Sequence, residues 1–183
     1  MTESSLDLAV IGNGRTAALV NPYARIVWWC FPRFDSDPVF SRLLAGDEEK
    51  GFSDVLLDRM AATESHYVRN TAVVVTTLTA VDGAAVRVTD FAPRFRNFGR
   101  ITRSPQLVRI IEPVAGLPRI TIRMRPTSDY GGPIERQSIG SNHINYWTGN
   151  FALRLTTDAP LSYIESEAPF ALTRPVSTLR AGA

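Results

Sequence analysis

Acidic residues are the first candidates for chemistry, because two carboxylates about 5 to 10 Å apart can act as acid and base on a glycosidic bond. Asp47–Glu49 form a polar cluster beside a glycine, which is typical of a solvated loop. Asp90 ends a β-rich stretch next to an aromatic residue and is interpreted as structural, while Glu135 and Glu165 stand in polar surroundings. None of these carboxylates has a suitable partner, so we assign no catalytic residue to this chain.

Aromatic residues are concentrated between positions 23 and 40, where arginine and aspartate are interspersed with them. Sugars stack on aromatic faces and hydrogen-bond to charged groups, so this composition suits a carbohydrate-binding surface. The alternative is structural: Trp28 and Phe31 belong to the core, and Arg33 pairs with Asp35 to fix a loop. Composition by itself favours the structural alternative.

The segment Gly12–Ala17 matches the G-x-G-x-x-A pattern of dinucleotide-binding proteins. That pattern binds a pyrophosphate only where a helix follows the glycines. Here Asn21-Pro22 stops any helix within two turns, and the β-like stretch Arg25–Cys30 follows. The glycines therefore indicate a tight turn, and we expect no nucleotide cofactor.

The histidines and the cysteine do not indicate a metal or redox centre. His66 and His143 lie in strand-like stretches without another ligand at metal-binding spacing, so we expect no metal site. Cys30 is the single cysteine, which excludes an internal disulfide. It lies in an apolar run, which favours a buried and unreactive thiol.

Composition indicates one ordinary globular domain over residues 1–183, with 44% hydrophobic and 21% charged residues. The net charge is +2, and Lys50 is the only lysine. The arginines alternate with apolar residues, as on the solvent face of strands, so we expect no nucleic-acid partner. No apolar run is long enough to span a membrane and Met1–Asp7 do not resemble a signal peptide, so we expect a cytoplasmic protein.

A period of two dominates the chain and predicts an all-β, antiparallel β-sandwich. The clearest hairpin joins Ala72–Ala80 to Ala84–Phe91 around an Asp-Gly turn. A second pairs Leu107–Glu112 with Arg119–Arg125. Only Val39–Leu44 favours a helix. The remaining predicted strands are Leu8–Ile11, Thr16–Val20 and Arg25–Cys30, which form a meander, then His143–Trp147 and Phe151–Thr157, which form a hairpin, then Phe170–Leu172 and Val176–Leu179. Because the sequence stops soon after, we expect the sandwich to lack a closing strand or two.

Several motifs resemble the start of bacterial family 15 glycoside hydrolases, the glucoamylase and trehalase-like enzymes, in order and spacing along most of the chain. Two departures matter: Asn21–Arg25 replaces the usual turn of the family, and the family's sandwich usually continues beyond residue 183. The motifs are Leu8–Val20, Ile26–Ser36, Phe40–Leu44, Tyr67–Thr71, Val88–Arg94 and Asp129–Gly131.

The resemblance implies an N-terminal, supersandwich-like domain that precedes an (α/α)6 barrel. In that family the barrel carries two catalytic glutamates and hydrolyses α-glucosidic bonds of starch-type or dextran-type glucans or of trehalose. No barrel is present here, so no catalytic residue is carried over and we expect this chain by itself to be inactive. The resemblance implies that the loop Pro32–Ser36 lies at the rim of the sugar site. Its candidate rim residues are Arg33, Asp35, Trp29 and Phe34.

Our leading hypothesis is a non-catalytic domain that stabilises a catalytic partner and helps to shape its α-glucoside site. Without that partner an apolar face is exposed, so we expect homo-oligomers. Two alternatives stay open: a standalone carbohydrate-binding module, and a structural or assembly protein without sugar binding.

Overall fold

The computed structural model describes residues 6–148 and 151–182, and most of their regular structure is β. A 3₁₀ turn spans Arg42–Leu44, and a short helix, α1, spans Leu161–Glu165. The strands are β1 (Ala9–Gly12), β2 (Ala17–Val20), β3 (Ile26–Cys30), β4 (Pro38–Ser41), β5 (Phe52–Leu57), β6 (Met60–Tyr67), β7 (Val74–Ala80), β8 (Ala85–Phe91), β9 (Phe95–Asn97), β10 (Arg100–Thr102), β11 (Leu107–Ala115), β12 (Arg119–Arg125), β13 (Arg136–Ile139), β14 (His143–Thr148), β15 (Phe151–Thr157), β16 (Phe170–Ala171) and β17 (Val176–Gly182).

Two antiparallel sheets pack as a sandwich, which confirms the predicted fold class. The first sheet has the order β1-β2-β3-β5-β12-β16, with β4 paired to β3, and the second has the order β13-β14-β15-β17-β11-β8-β7-β6. The β9–β10 hairpin forms a small sheet of its own. Alternate side chains of both large sheets meet in one apolar core, because successive residues of a strand point to opposite faces. The largest apolar side chains buried there include Trp29, Phe31, Phe40, Leu78, Leu107, Ile111 and Ile120.

Most of the predicted strand pairings are confirmed. The β7–β8 hairpin forms around the predicted Asp-Gly turn, in which Gly83 has a φ of +84°. Strands β1, β2 and β3 form the expected meander, and β14 pairs with β15. The turn predicted between β14 and β15 includes positions 149 and 150, which lie outside the described residues.

The predicted pairing of Leu107–Glu112 with Arg119–Arg125 is wrong. β11 pairs with β8 and β17 in the second sheet, whereas β12 pairs with β5 and β16 in the first. The chain crosses between sheets at this point, and both strands still direct alternate apolar residues into the same core. The predicted helix at Val39–Leu44 is also wrong, because β4 occupies its first half and a 3₁₀ turn its second.

Two arginines lie fully buried between the sheets, although the sequence pattern placed arginines at the surface. Arg109 donates from Nε and Nη2 to the two carboxylate oxygens of Asp90, at 2.7 and 2.8 Å. Arg180 donates from Nη2 to Ser53 Oγ at 2.6 Å, while its Nε and Nη1 have no hydrogen-bond partner among the described residues. Burial, followed by the charge of Arg109, lowers the pKa of Arg180 to about 9.

A second charge network covers the outer face of the first sheet. The buried carboxylate of Asp54 accepts hydrogen bonds from Arg25 and from both Nε and Nη2 of Arg123, at 2.7 to 2.9 Å. The same two guanidinium groups lie 4.3 and 4.8 Å from the ring centroid of Phe52. The hydrogen bonds that Arg123 donates to Asp54 are the main reason that the pKa of Arg123 is raised. This network shields Phe52 and Asp54, on the outer face of β5, from solvent.

We expect substitutions at the two buried arginine sites to change the free energy of unfolding in opposite directions. Asp90→Asn leaves Arg109 as an uncompensated buried cation and should lower the free energy of unfolding by about 3 to 5 kcal/mol. Arg180→Met replaces a half-satisfied cation with an apolar side chain of similar length, and should leave that free energy unchanged or raise it by about 1 to 4 kcal/mol. Urea unfolding monitored by tryptophan fluorescence measures both.

The control is Asp82→Asn, which breaks an exposed ion pair with Arg59 and should cost about 1 kcal/mol or less. The pKa of Arg180 is lower in the folded than in the unfolded state. Below about pH 9 the side chain is charged in both states, and the burial of this charge lowers the stability of the fold. The advantage of Arg180→Met should therefore shrink as the pH rises above about 9. A large loss of stability in Arg180→Met at pH 7 would contradict this interpretation.

Candidate functional site

Three of the four candidate rim residues lie together on an exposed loop between β3 and β4. Arg33 Nη2 donates to Asp35 Oδ2 at 2.9 Å, and both side chains are 69% exposed. Phe34, between them, is also exposed. A hydrogen bond from the Phe31 amide to the Asp37 carbonyl, at 3.4 Å, closes the base of the loop. The loop therefore presents an aromatic ring beside an ion pair.

The fourth candidate, Trp29, is fully buried and offers no face to a ligand. Its ring lies 5.1 Å from that of Phe31 and 5.9 Å from that of Phe40. Its Nε1 donates to Thr16 Oγ1 at 2.7 Å, as a buried indole requires. The side chain belongs to the core because inward alternation along β3 places it there. Trp29 therefore supports the loop from below and is not exposed at the rim.

Other segments meet the loop at the same end of the sandwich. Asp37 and Pro38 line a shallow polar hollow of about 10 Å³ together with residues 127–129, Thr148 and Phe151. The Phe151 ring lies 5.2 Å from that of Phe31, which links the second sheet to the base of the loop. Next to the hollow, Asp129 and Tyr130 have φ values of 43° and 58°, a left-handed conformation that is unusual for such residues. One end of the sandwich thus gathers polar groups, an exposed aromatic ring and strained backbone.

A larger groove of about 360 Å³ lies elsewhere, between edge strand β1 of one sheet and edge strand β6 of the other. Its walls include residues 7–9, 20–22 and 63–67. The Tyr67 hydroxyl accepts a hydrogen bond from the Val10 amide at 2.6 Å and donates to the Val10 carbonyl at 3.1 Å, so it satisfies the free edge of β1. Sequence reasoning did not single out this groove.

The two buried carboxylates are held by arginines and are not free to exchange protons with a substrate. Asp90 is bonded to Arg109, as its structural interpretation required, and Asp54 is bonded to Arg25 and Arg123. Glu49 also lies within 4 Å of arginine nitrogens.

Metal-binding and thiol chemistry have little support in the described part of the chain. No group of three or more His, Cys, Asp or Glu residues there could hold a metal ion. Cys30 is partly buried, and burial raises the pKa of its thiol, against a hydrogen bond from Trp28 that lowers it. A raised thiol pKa reduces the thiolate fraction, and hence the reactivity, at neutral pH.

The Gly12–Ala17 segment is a tight turn between antiparallel strands, as the sequence predicted, and it has a further role that the sequence did not reveal. Gly14 has a φ of +84°. The buried Asn13 amide donates to the carbonyls of Pro93 and Ser104, at 2.9 and 2.7 Å. Its Oδ1 accepts from the Arg15 and Thr16 amides at 3.0 and 3.2 Å. Asn13 therefore uses its full hydrogen-bonding capacity: its amide nitrogen holds both ends of the chain segment that contains β9 and β10, and its oxygen stabilises its own turn.

Comparison with known proteins identifies relatives of this domain. A family model described as trehalase-like, N-terminal, matches residues 5–159. The trehalase of Thermoplasma volcanium is 35% identical over 130 residues, covering 66% of this chain and 19% of that protein. Trehalase 1 of Sulfolobus acidocaldarius is 40% identical over 88 residues, covering 47% of this chain and 15% of that protein. The chain thus spans less than a fifth of these relatives, and no solved structure matches it significantly.

No helix among residues 6–148 and 151–182 is long and apolar enough to cross a membrane. A cytoplasmic location and homo-oligomer formation stay predictions, because nothing in the structure tests them.

Asn13→Ala should release the segment 93–104 and destabilise the whole domain. It leaves two carbonyls and two amides without their partner, and each buried unsatisfied group costs about 1 to 3 kcal/mol. We expect trypsin to cleave after Arg96 and Arg100 at least several times faster than in the parent chain. The control, Asn97→Ala, removes an exposed amide from the same hairpin and should leave the cleavage rate unchanged. Equal rates in Asn13→Ala and the parent would show that Asn13 does not anchor the hairpin.

Proposed function

Since the chain belongs to the trehalase-like N-terminal family, we propose that it is the accessory β-sandwich of a glycoside hydrolase that cleaves α-glucosides such as trehalose. The family match over residues 5–159 carries this proposal, and the two trehalases that resemble the chain support the substrate class. The acid and base of the reaction come from a larger catalytic region. The resemblance to family 15 enzymes describes that region as an (α/α)6 barrel.

The state of the buried carboxylates supports a non-catalytic role. A general acid or base must reach the substrate and change its protonation during the reaction. Asp54 and Asp90 are each 1% exposed. Asp54 accepts hydrogen bonds from two arginines, and Asp90 accepts them from one. These carboxylates stabilise the fold, and the domain contributes shape and positioning instead of proton transfer.

The loop between β3 and β4 supports a contribution to the rim of the sugar site. Phe34 can stack on a sugar face, and the ion pair of Arg33 with Asp35 offers donors and acceptors to hydroxyl groups. The loop rests on the buried rings of Trp29 and Phe31, so little ordering is required when a substrate arrives. Trp29 contributes to the rim by supporting this loop and does not contact the sugar.

The first test is turnover by residues 1–183 on trehalose, maltose and isomaltose. We expect no release of glucose above the uncatalysed rate, because the buried carboxylates Asp54 and Asp90 are held by arginines and the proposed function places the acid–base pair in another region. Release is measured by coupled glucose oxidation at several pH values. Sustained turnover that survives repurification and scales with the concentration of the chain would overturn the non-catalytic assignment.

The second test concerns the rim. In a hybrid trehalase, this chain replaces the matched 130-residue segment of the Thermoplasma volcanium enzyme. Phe34→Ala should raise the KM for trehalose about 3- to 10-fold with little change in kcat, because a stacking contact with bound sugar is worth about 0.5 to 1.5 kcal/mol. Arg33→Ala should act in the same direction.

The control for the rim test is Tyr23→Ala, which removes an exposed aromatic ring at the opposite end of β3. It should leave both constants unchanged. If Phe34→Ala behaves like Tyr23→Ala, the loop does not contribute to the sugar site, and only the supporting role of the domain remains.

A standalone carbohydrate-binding module is the second candidate, and the groove of about 360 Å³ between β1 and β6 favours it. A groove of that size with mixed polar and apolar walls can hold a small ligand. Calorimetric titration of residues 1–183 with trehalose and short glucans separates the two functions. Binding that survives Phe34→Ala and is lost in His66→Ala would favour the module.

A further inference from the structure

The hairpin formed by β9 and β10 is unusually exposed for an ordered element. Phe98, at its tip, is 98% exposed, and Phe95 and Ile101 are 52% and 48% exposed. Neither strand pairs with either large sheet. An isolated two-stranded hairpin is marginally stable in water and needs packing on at least one face. The described residues do not supply enough of that packing.

The hairpin is also strongly cationic. Arg94, Arg96, Arg100 and Arg103 lie within ten residues, and no carboxylate occurs between Asp90 and Glu112. None of the four arginines forms an ion pair with a described residue. Several exposed or half-exposed arginines elsewhere on the sheets do have carboxylate partners. We call residues 94–103 the cationic hairpin.

Charge and apolar surface are interleaved on the cationic hairpin. The register places Arg96 opposite Ile101 and Phe95 opposite Thr102. Residues that face each other across an antiparallel pair lie on the same side of the sheet, so one face combines Arg96 with Ile101 and the other carries Phe95. Phe98 projects at the turn, where it has a φ of 46° and is followed by Gly99 with a φ of 74°.

The cationic hairpin is held in a fixed position despite its exposure. The Asn13 side chain bonds to the carbonyls of Pro93 and Ser104, immediately before and after it. The Arg103 guanidinium lies beside Gly14 of the same turn. A recognition element that is ordered before binding loses less entropy on association.

We propose that the cationic hairpin is a docking element for a protein surface that carries carboxylates around an apolar recess for Phe98. This partner surface lies in the larger part of the enzyme that this chain does not match in its relatives, so the inference rests on the proposed accessory function. Aromatic and arginine side chains are the residues that contribute most to protein interfaces. Carboxylates opposite the four arginines complete their missing ion pairs.

A nucleic acid or an anionic membrane would also attract arginines, but the apolar residues favour a protein. The net charge of the whole chain is only +2, so no broad basic field surrounds the hairpin. Phe98, Phe95 and Ile101 occupy the positions between the charges. The aliphatic side chain of Ile101 offers no ring on which a base could stack, whereas an apolar recess of a protein can bury all three side chains. The alternatives are therefore separate outcomes of the test.

The test uses residues 1–183 with three probes: a random copolymer of glutamate and tyrosine, heparin, and vesicles of phosphatidylglycerol in phosphatidylcholine. Amide hydrogen exchange of residues 95–102 reports occupancy. We expect the copolymer to slow exchange there, and Arg96→Glu/Arg100→Glu to weaken its binding at least about tenfold at low salt. The matched control, Arg69→Glu/Arg119→Glu, changes the net charge equally at two exposed arginines outside the hairpin and should bind like the parent.

Phe98→Ser should also weaken copolymer binding, whereas Val81→Ser, at another exposed turn, should not. Circular dichroism and urea unfolding establish that each variant is folded. Stronger protection by heparin or by vesicles than by the copolymer overturns the proposal in favour of a polyanion or a membrane. Protection that grows with the concentration of the chain in the absence of a probe overturns it in favour of a second copy.

The hybrid trehalase separates failure of this inference from failure of the proposed function. A photo-cross-linking phenylalanine at position 98 should form intramolecular cross-links to an acidic segment outside this domain, and the same group at position 117, an exposed turn residue, should not. Cross-links from position 117 alone overturn the docking role of the hairpin but leave an accessory domain beside a catalytic region. An absence of cross-links from positions 34, 98 and 117 contradicts both.

Discussion

The exposed elements of this domain depend on one buried amide. Asn13 makes four hydrogen bonds, two within its own turn and two to the ends of the cationic hairpin. Through Thr16, which accepts from Trp29, the same turn is linked to the rings that support the β3–β4 loop. A carboxamide is the side chain that can donate twice and accept twice at one point, so aspartate or serine could not replace it without leaving buried groups unpaired.

The polar interior sets a second constraint on the sandwich. Asp90 neutralises Arg109 with two charge-assisted hydrogen bonds, whereas Arg180 makes one bond to Ser53 and is otherwise unsatisfied. Both guanidinium groups lie between the sheets and face β5 of the opposite sheet through Ser53. Such a centre stabilises less than an apolar one of equal volume, but it penalises any other alignment of the two sheets.

Charged groups are distributed unevenly among the described residues of the domain, with paired carboxylates in buried positions and unpaired arginines on an exposed hairpin. Among the described residues, the buried carboxylates of Asp54 and Asp90 are held by arginines on the outer and inner sides of β5. Four arginines without an ion pair to a described residue lie instead on one exposed hairpin, and an ion pair flanks Phe34 on the β3–β4 loop. In the proposed function, the domain is bound by a neighbouring region and helps to shape its site, and that region supplies the proton transfers.

The sequence by itself determined the all-β sandwich, the β7–β8 hairpin and the family, because alternation, Asp-Gly turns and ordered motifs are local signals. It also placed Arg33 and Asp35 on a loop. Only the tertiary structure decided that β11 and β12 belong to different sheets, since alternation fits a hairpin and a crossover between facing sheets equally well. Only the tertiary structure also decided that Trp29 and Arg180 are buried and that Asn13 donates hydrogen bonds to the carbonyls of residues 93 and 104. These features depend on contacts between residues distant in the chain.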